Sequence, residues 1–154
     1  MGRREELLRQ EAEGWARIDA LVDGLAPEEI ERPGLTDEGW SVKDMMWHVA
    51  AWSDDTARVL REMESGTWDG SDPSEAPGYT DRVNREWFVR SRTMEVEEVR
   101  SAWYTTRGRM LEAFGALGEV TSDAEEWFEE AGSAHYAEHL PDLQAWVERF
   151  GSST

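Results

Sequence analysis

An all-α fold, an antiparallel four-helix bundle in a single domain spanning residues 1–154, is what this sequence predicts, and three observations predict it. Apolar residues recur at steps of three and four along several long segments, which is the spacing of one helical face. No stretch alternates apolar and polar residues as a half-buried strand would. The glycine- and proline-dense run GTWDGSDPSEAPG, residues 66–78, cuts the helical pattern in two and reads as a long loop, a candidate lid or pocket rim.

The elements follow in order. Leu8, Ala12, Trp15, Ile18, Val22 and Leu25 place the first helix over about residues 3–25, stopped by Pro27. Ser41 opens a second helix, with Asp44 three residues on as a shortened capping box, and the seam continues through Val42, Met45, Val49, Trp52, Thr56, Val59 and Met63. Beyond the loop, Tyr79 to Arg92 form a shorter helix around Val83 and Trp87, and Thr93 offers a cap for the next. A third seam runs through Val96, Val99, Trp103, Thr106, Met110, Ala113 and Leu117. A last helix, about residues 124–150, aligns Trp127, Ala131, His135, His139, Trp146 and Phe150, with Pro141 expected to kink it and free the carbonyl of Ala137.

Charge and composition bound the function. With 34 acidic and 16 basic residues the net charge is −18, which repels phosphate backbones, so nucleic acid is not an expected partner. Without cysteine there is no disulfide, thiolate ligand or cysteine nucleophile, and any thiol in a reaction must come from a small molecule. The N-terminal MGRREELLRQ has no apolar core for a signal peptide, and MMWHVAAW is too short to span a bilayer, so a cytoplasmic protein with no membrane partner is expected.

All three histidines fall on inward faces of predicted helices. His135 and His139, four residues apart in HYAEH, share one helical face about one turn apart, and His48 borders the seam of the second helix. Neutral imidazoles bind zinc or nickel, and two from one helix with one from a facing helix leave a coordination position open. The alternative is three core histidines satisfied by hydrogen bonds, but having every histidine of the chain at an inward position favours the metal site. HYAEH also matches the pattern of inverted zinc peptidases, which need a further acidic ligand well downstream; too few residues follow His139 for that. Glu138 is the nearest acid in sequence and a candidate catalytic base, or simply a half-exposed helix residue. Asp44, a turn before His48, either supports that imidazole or caps its helix, and the cap is the favoured role. Trp15, Trp52, Trp103 and Trp146 lie on seams and read as core, whereas Trp47 and Trp68 are candidate pocket residues. Arg82, Arg85, Arg90 and Arg92 concentrate the positive charge. They either pair with neighbouring glutamates or, Arg82 and Arg85 foremost, hold the carboxylate of a small substrate or thiol cofactor.

The runs GWSVKDMMWHVAAW, NREWFVRSR followed by EVEEVR, and HYAEHLPDLQAW resemble the DinB-like superfamily of four-helix bundles over about residues 4–150. Within it the sequence most resembles the ClbS/DfsB-like branch, with the mycothiol-dependent maleylpyruvate isomerase group as a neighbour. The resemblance implies a bundle whose metal, where present, is held by a histidine of the second helix and residues of the last; His48, His135 and His139 match those positions. It also implies thiol-dependent transfer or isomerisation, or hydrolysis or sequestration of reactive electrophiles. The sequence departs from the isomerase group in not carrying its C-terminal extension, and the ClbS/DfsB branch includes members that need no metal. The expected function is therefore a detoxification-type enzyme, a transferase or hydrolase acting on a small electrophile with a divalent metal and a low-molecular-weight thiol. The alternative is a noncatalytic protein that sequesters a small molecule. The expected assembly is a homodimer.

Overall fold

The computed structural model describes residues 2–151 and is all-helical apart from one isolated bridge between Pro33 and Ser41. In chain order the helices are α1 (Arg3–Asp23), α2 (Pro27–Glu31), α3 (Val42–Ser65), α4 (Tyr79–Ser91), α5 (Val96–Gly115), α6 (Ser122–Ala131) and α7 (Ser133–Phe150), with a 3-10 turn, Pro73–Glu75, inside the long loop. Four columns make the bundle: α1, α3, α5 and the pair α6–α7.

Cross-helix contacts fix their senses. Lys43 Nζ donates to the Met94 carbonyl at 2.8 Å, Arg109 meets Asp54 at 3.2 Å, and Gly118 N donates to Glu64 at 2.9 Å, so α3 and α5 run in parallel. Arg4 reaches the carbonyl of Phe114, Arg107 reaches Glu11 and Trp103 reaches Asp19, so α1 opposes α5. Arg3 meets Glu125 and Tyr136 meets Glu11, so α1 and α6–α7 run in parallel. The loop and α4 therefore carry the chain back along the bundle, and two parallel pairs face each other in opposite senses. This places α7 antiparallel to α3, the two helices that carry the histidines.

Burial follows the predicted seams closely in α5, where Val96, Val99, Trp103, Thr106, Met110 and Ala113 are all buried, as is Leu117 just beyond its end. Ser41 caps α3 as predicted, accepting from Asp44 N, while Asp44 Oδ2 accepts from Ser41 N. In α1 the face starts one position earlier than the apolar spacing suggests: Leu7, Glu11, Trp15, Ile18 and Val22 are buried and Ala12 is exposed. A charged residue occupies a core position, which hydrophobic periodicity cannot see. Glu11 receives two bonds from Arg107, at 2.8 and 2.7 Å, and one from the Tyr136 hydroxyl at 2.8 Å, so its burial is compensated. This polar layer joins α1, α5 and α7.

Three sequence expectations change. The last helix is two helices, because the chain breaks at Gly132 (φ −101°, ψ −109°), where a Cβ would lie 2.9 Å from the Phe128 carbonyl and 3.3 Å from Glu11 Cγ. The break falls there rather than at Pro141, through which α7 continues. The cap of α5 is Glu95, boxed with Glu98; the Thr93 hydroxyl donates to the Arg90 carbonyl instead. The residues after Pro27 are not an end but a short helix of their own, started by the proline.

Candidate metal centre

The capping box at Ser41 sets the phase of α3 and turns His48 inward, and α7 presents His135 and His139 to it from the opposite column. His135 Nε2 lies 3.0 Å from His48 Nε2 and 3.0 Å from His139 Nε2, and the three potential ligand atoms lie within 4.8 Å of one another. His48 and His135 are each only 7% exposed; His139 is half-buried.

The three rings do not satisfy one another by hydrogen bonding. An sp² ring nitrogen has one in-plane lone pair or one proton, so His135 Nε2 cannot make two full hydrogen bonds at once. Three converging lone pairs repel unless a cation sits between them. Metal–nitrogen bonds of about 2.0–2.1 Å in tetrahedral geometry place ligand nitrogens roughly 3.3 Å apart, close to the separations here. The donor set therefore fits a divalent ion, with Nε2 as the ligand atom of each ring.

Protonation points the same way. Burial, with the charge of His139 second, pushes His48 down to about 3, partly opposed by Asn84. Burial holds His135 well below its ordinary value, with His139 and His48 adding to the effect. His139 is lowered by burial against the opposing charges of Glu138 and Asp142. At neutral pH the rings are uncharged, the form that binds metal. The Nδ1 atom of His135 is buried without a hydrogen-bond partner among the described residues, whereas the Asn84 side chain lies close enough to His48 to favour its protonated form.

Two cavities flank the cluster. One, of about 350 Å³, lies between α3, α4, α6, α7 and the 3-10 turn and is lined by His48, His135, Trp52, Trp127, Asn84 and Glu130 among others. The second, of about 720 Å³, is lined by Trp40, Phe88, Arg85, Asp81, His48 and His139 among others. Glu138 is exposed and lines both. Arg85 lines the second cavity, whereas Arg82 lies over the Tyr79 ring, 5.4 Å from its centre, and lines neither. Arg92 lies over Phe88 and 3.7 Å from Asp44, and Arg90 faces a separate groove between α3 and α5. Asp44 caps α3 and accepts from Ser91, without reaching His48. Trp47 belongs to the α3–α5 groove, and Trp68 lines neither histidine cavity.

Sequence reasoning missed several lining residues. Trp52 lies on the α3 seam but is only half-buried: its indole N–H donates to Asn84 Oδ1 at 3.1 Å and the residue lines the smaller cavity. Trp40 stacks on Phe88, ring centres 5.8 Å apart, and meets His48 edge-on. Asn84 and Glu130 carried no signal, since a polar residue on an amphipathic helix looks the same whether it faces solvent or a cavity. Among the described residues no helix is long and apolar enough to cross a membrane.

Comparison with known proteins adds a family and a fold. The family model described as mycothiol maleylpyruvate isomerase N-terminal domain matches residues 12–135, which takes in His48 and His135 and stops short of His139. It is the neighbouring group that the sequence resembles within the DinB-like superfamily. No curated protein matches. The crystal structure of an uncharacterised protein from Escherichia coli UTI89 is similar at a TM-score of 0.80, covering 98% of this chain and 96% of that one at 12% identity. At that identity the likeness concerns the fold alone.

Proposed function

The chain belongs to the mycothiol maleylpyruvate isomerase N-terminal domain family, and on that premise we propose that it is a metal-dependent enzyme whose ion is held by His48, His135 and His139. The observation that carries the reading is the convergence of three neutral Nε2 atoms, from residues that line two adjoining cavities. A divalent zinc or nickel ion, when bound, would supply Lewis acidity that lowers the pKa of a nucleophile beside it.

The chain's own residues provide the rest. Two cavities meeting at one point suit a two-component reaction, with an electrophilic substrate in one and a low-molecular-weight thiol, or water, in the other. Arg85, which lines the larger cavity, would hold a carboxylate there. Glu138, exposed on the turn between the two histidines of α7 and lining both cavities, would take a proton from the incoming nucleophile. The Asn84 side chain, whose oxygen accepts from Trp52, lines both cavities and would offer its amide N–H groups to the substrate. Transfer of a thiol to a small electrophile, or its hydrolysis, is the reaction class this arrangement serves. Cytoplasmic location and a homodimer are part of the same reading.

The test is elemental analysis of protein purified without a histidine tag. About one zinc or nickel per chain is expected, together with consumption of small electrophiles that stops on chelation. Tag-free protein that takes up neither metal when both are offered would remove the basis for the proposal.

A further inference from the structure

The first turn of α7 carries His135 and begins without a side-chain cap. His135 is the third residue of that helix, and its N-cap is Gly132, which has no side chain to offer to the free backbone N–H groups. Because the chain breaks at Gly132, α6 does not set the rotation of α7 about its own axis. That rotation is held from α1. Tyr136, 1% exposed, follows His135 and at about 100° per residue points to a neighbouring quadrant of the bundle. Its hydroxyl donates to Glu11 Oε2 at 2.8 Å, and Arg107 of α5 holds the same carboxylate through bonds of 2.8 and 2.7 Å. The Tyr136 ring meets Trp15 edge-on at 5.5 Å, and a Cβ on Gly14 would lie 3.3 Å from Tyr136 Cδ2, so α1 closes directly on the ring. Glu11 Cγ also reaches the helix start, 3.3 Å from where a Cβ on Gly132 would stand.

His135 and His139 turn together with α7, whereas His48 stays with α3. Side-chain tips lie about 5–6 Å from a helix axis, so rotating α7 by about 10° moves both ligand atoms by about 1 Å. A metal–nitrogen bond tolerates about 0.2 Å. We propose that Tyr136 is a positioning residue of the histidine site: its bond to the Glu11–Arg107 pair fixes the rotation of α7 and so holds His135 and His139 where His48 meets them. The inference rests on reading the three histidines as the metal site. It gives the buried polar layer a role besides stability, because packed apolar surfaces can slide whereas a hydrogen bond to a buried charge has a direction. Ligands held in their bound arrangement need less ordering when the ion arrives, and the affinity rises accordingly.

The test compares the whole tag-free chain in three forms, each measured well below its Tm: wild type, Tyr136→Phe, which removes one oxygen, and Phe114→Leu, a packing change in the other apolar cluster of the core. Zinc affinity is read by competition with a chromophoric chelator, ligand geometry by the visible spectrum of the cobalt form, and ring contact between His48 and His135 by nuclear Overhauser effects in chelator-treated protein. Tyr136→Phe is expected to bind zinc at least about five-fold more weakly than wild type, with an altered cobalt spectrum and a weaker ring contact without metal. Phe114→Leu should stay within about two-fold of wild type, with the wild-type spectrum and contact, however much stability it loses. A Tyr136→Phe affinity within about two-fold of wild type, or an equal loss in Phe114→Leu, would overturn the proposal, the latter by showing that lost stability alone is felt at the site. Should Tyr136→Phe fail to fold, Glu11→Gln, which removes the charge that the hydroxyl bonds to, is read by the same limits. If wild type takes up neither zinc nor cobalt, the metal assignment falls and the ring contact decides: weakened in Tyr136→Phe alone, the positioning role stands; unchanged there, it falls too.

Discussion

Replacing Glu11 with alanine should destabilise this protein more than most single substitutions, and the reason lies in the polar layer at the middle of the bundle. Glu11 is 1% exposed and accepts two bonds from Arg107 and one from Tyr136. Removing it leaves the guanidinium of Arg107, whose side chain is 23% exposed, without its partner and opens a void beside Gly132. Breaking a buried pair on one side costs about 3–5 kcal/mol, and because Arg107 keeps some contact with water we take about 3. Tyr136→Phe removes only the hydroxyl bond to a charged acceptor, about 1.5–3 kcal/mol. At this chain length each kcal/mol lowers Tm by about 2–4 °C, so Glu11→Ala should melt about 6–12 °C below wild type. Urea unfolding monitored by circular dichroism, on chelator-treated protein so that metal does not contribute, gives the free energies. A Glu11→Ala variant within 1 kcal/mol of wild type would refute the reasoning, because it would mean that the buried carboxylate offsets no more than it costs.

Other outcomes follow from the same structure. Ser41→Ala should lose about 1 kcal/mol with its cap, whereas Thr93→Ala, whose hydroxyl bonds to a preceding carbonyl, should change stability by a few tenths; equal losses in urea titrations would contradict the cap assignment. The histidines have folded-state pKa values depressed below an unfolded value of about 6.5, so the unfolded chain binds more protons as pH falls below that value. The metal-free protein should therefore lose stability between pH 6.5 and His48's value of about 3, with a steeper slope than His48→Leu; parallel pH profiles of the two would sink this. Duplex DNA should not bind at physiological salt, given a net charge of −18, and a salt-dependent mobility shift at micromolar protein would show the arginines of residues 82–92 to be stronger than their neighbours allow.

Much of this was legible in the sequence because it rests on periodicity. The α5 seam, the Ser41–Asp44 box and the inward placement of His48, His135 and His139 all follow from steps of three and four residues. What stayed hidden lies where one residue type serves two environments. Glu11 is an acid at a core position, intelligible only once Arg107 and Tyr136, far away in sequence, are seen to meet it. Trp52 fits the seam by spacing yet borders a cavity that α3 shares with α4, α6, α7 and the 3-10 turn, an arrangement that local spacing does not encode. The break at Gly132 carried a weak signal, a glycine within a helical pattern, and its cause is steric: the close approach of Phe128 and Glu11. The parallel course of α3 and α5 depends on where α4 leads the chain, which local spacing does not encode.

The central claim, that three histidines hold one divalent ion, is tested most directly by scanning calorimetry of tag-free protein at pH 7.5, with chelator and with zinc or nickel in excess. Binding to the folded state at about 100 times the dissociation constant adds about 2.7 kcal/mol, so the loaded protein should melt roughly 5–11 °C higher. That increment should vanish in His48→Ala, His135→Ala and His139→Ala alike, since each removes one of three converging ligands. Equal melting temperatures with chelator and with either metal in the wild type, or an undiminished increment in all three variants, would contradict it.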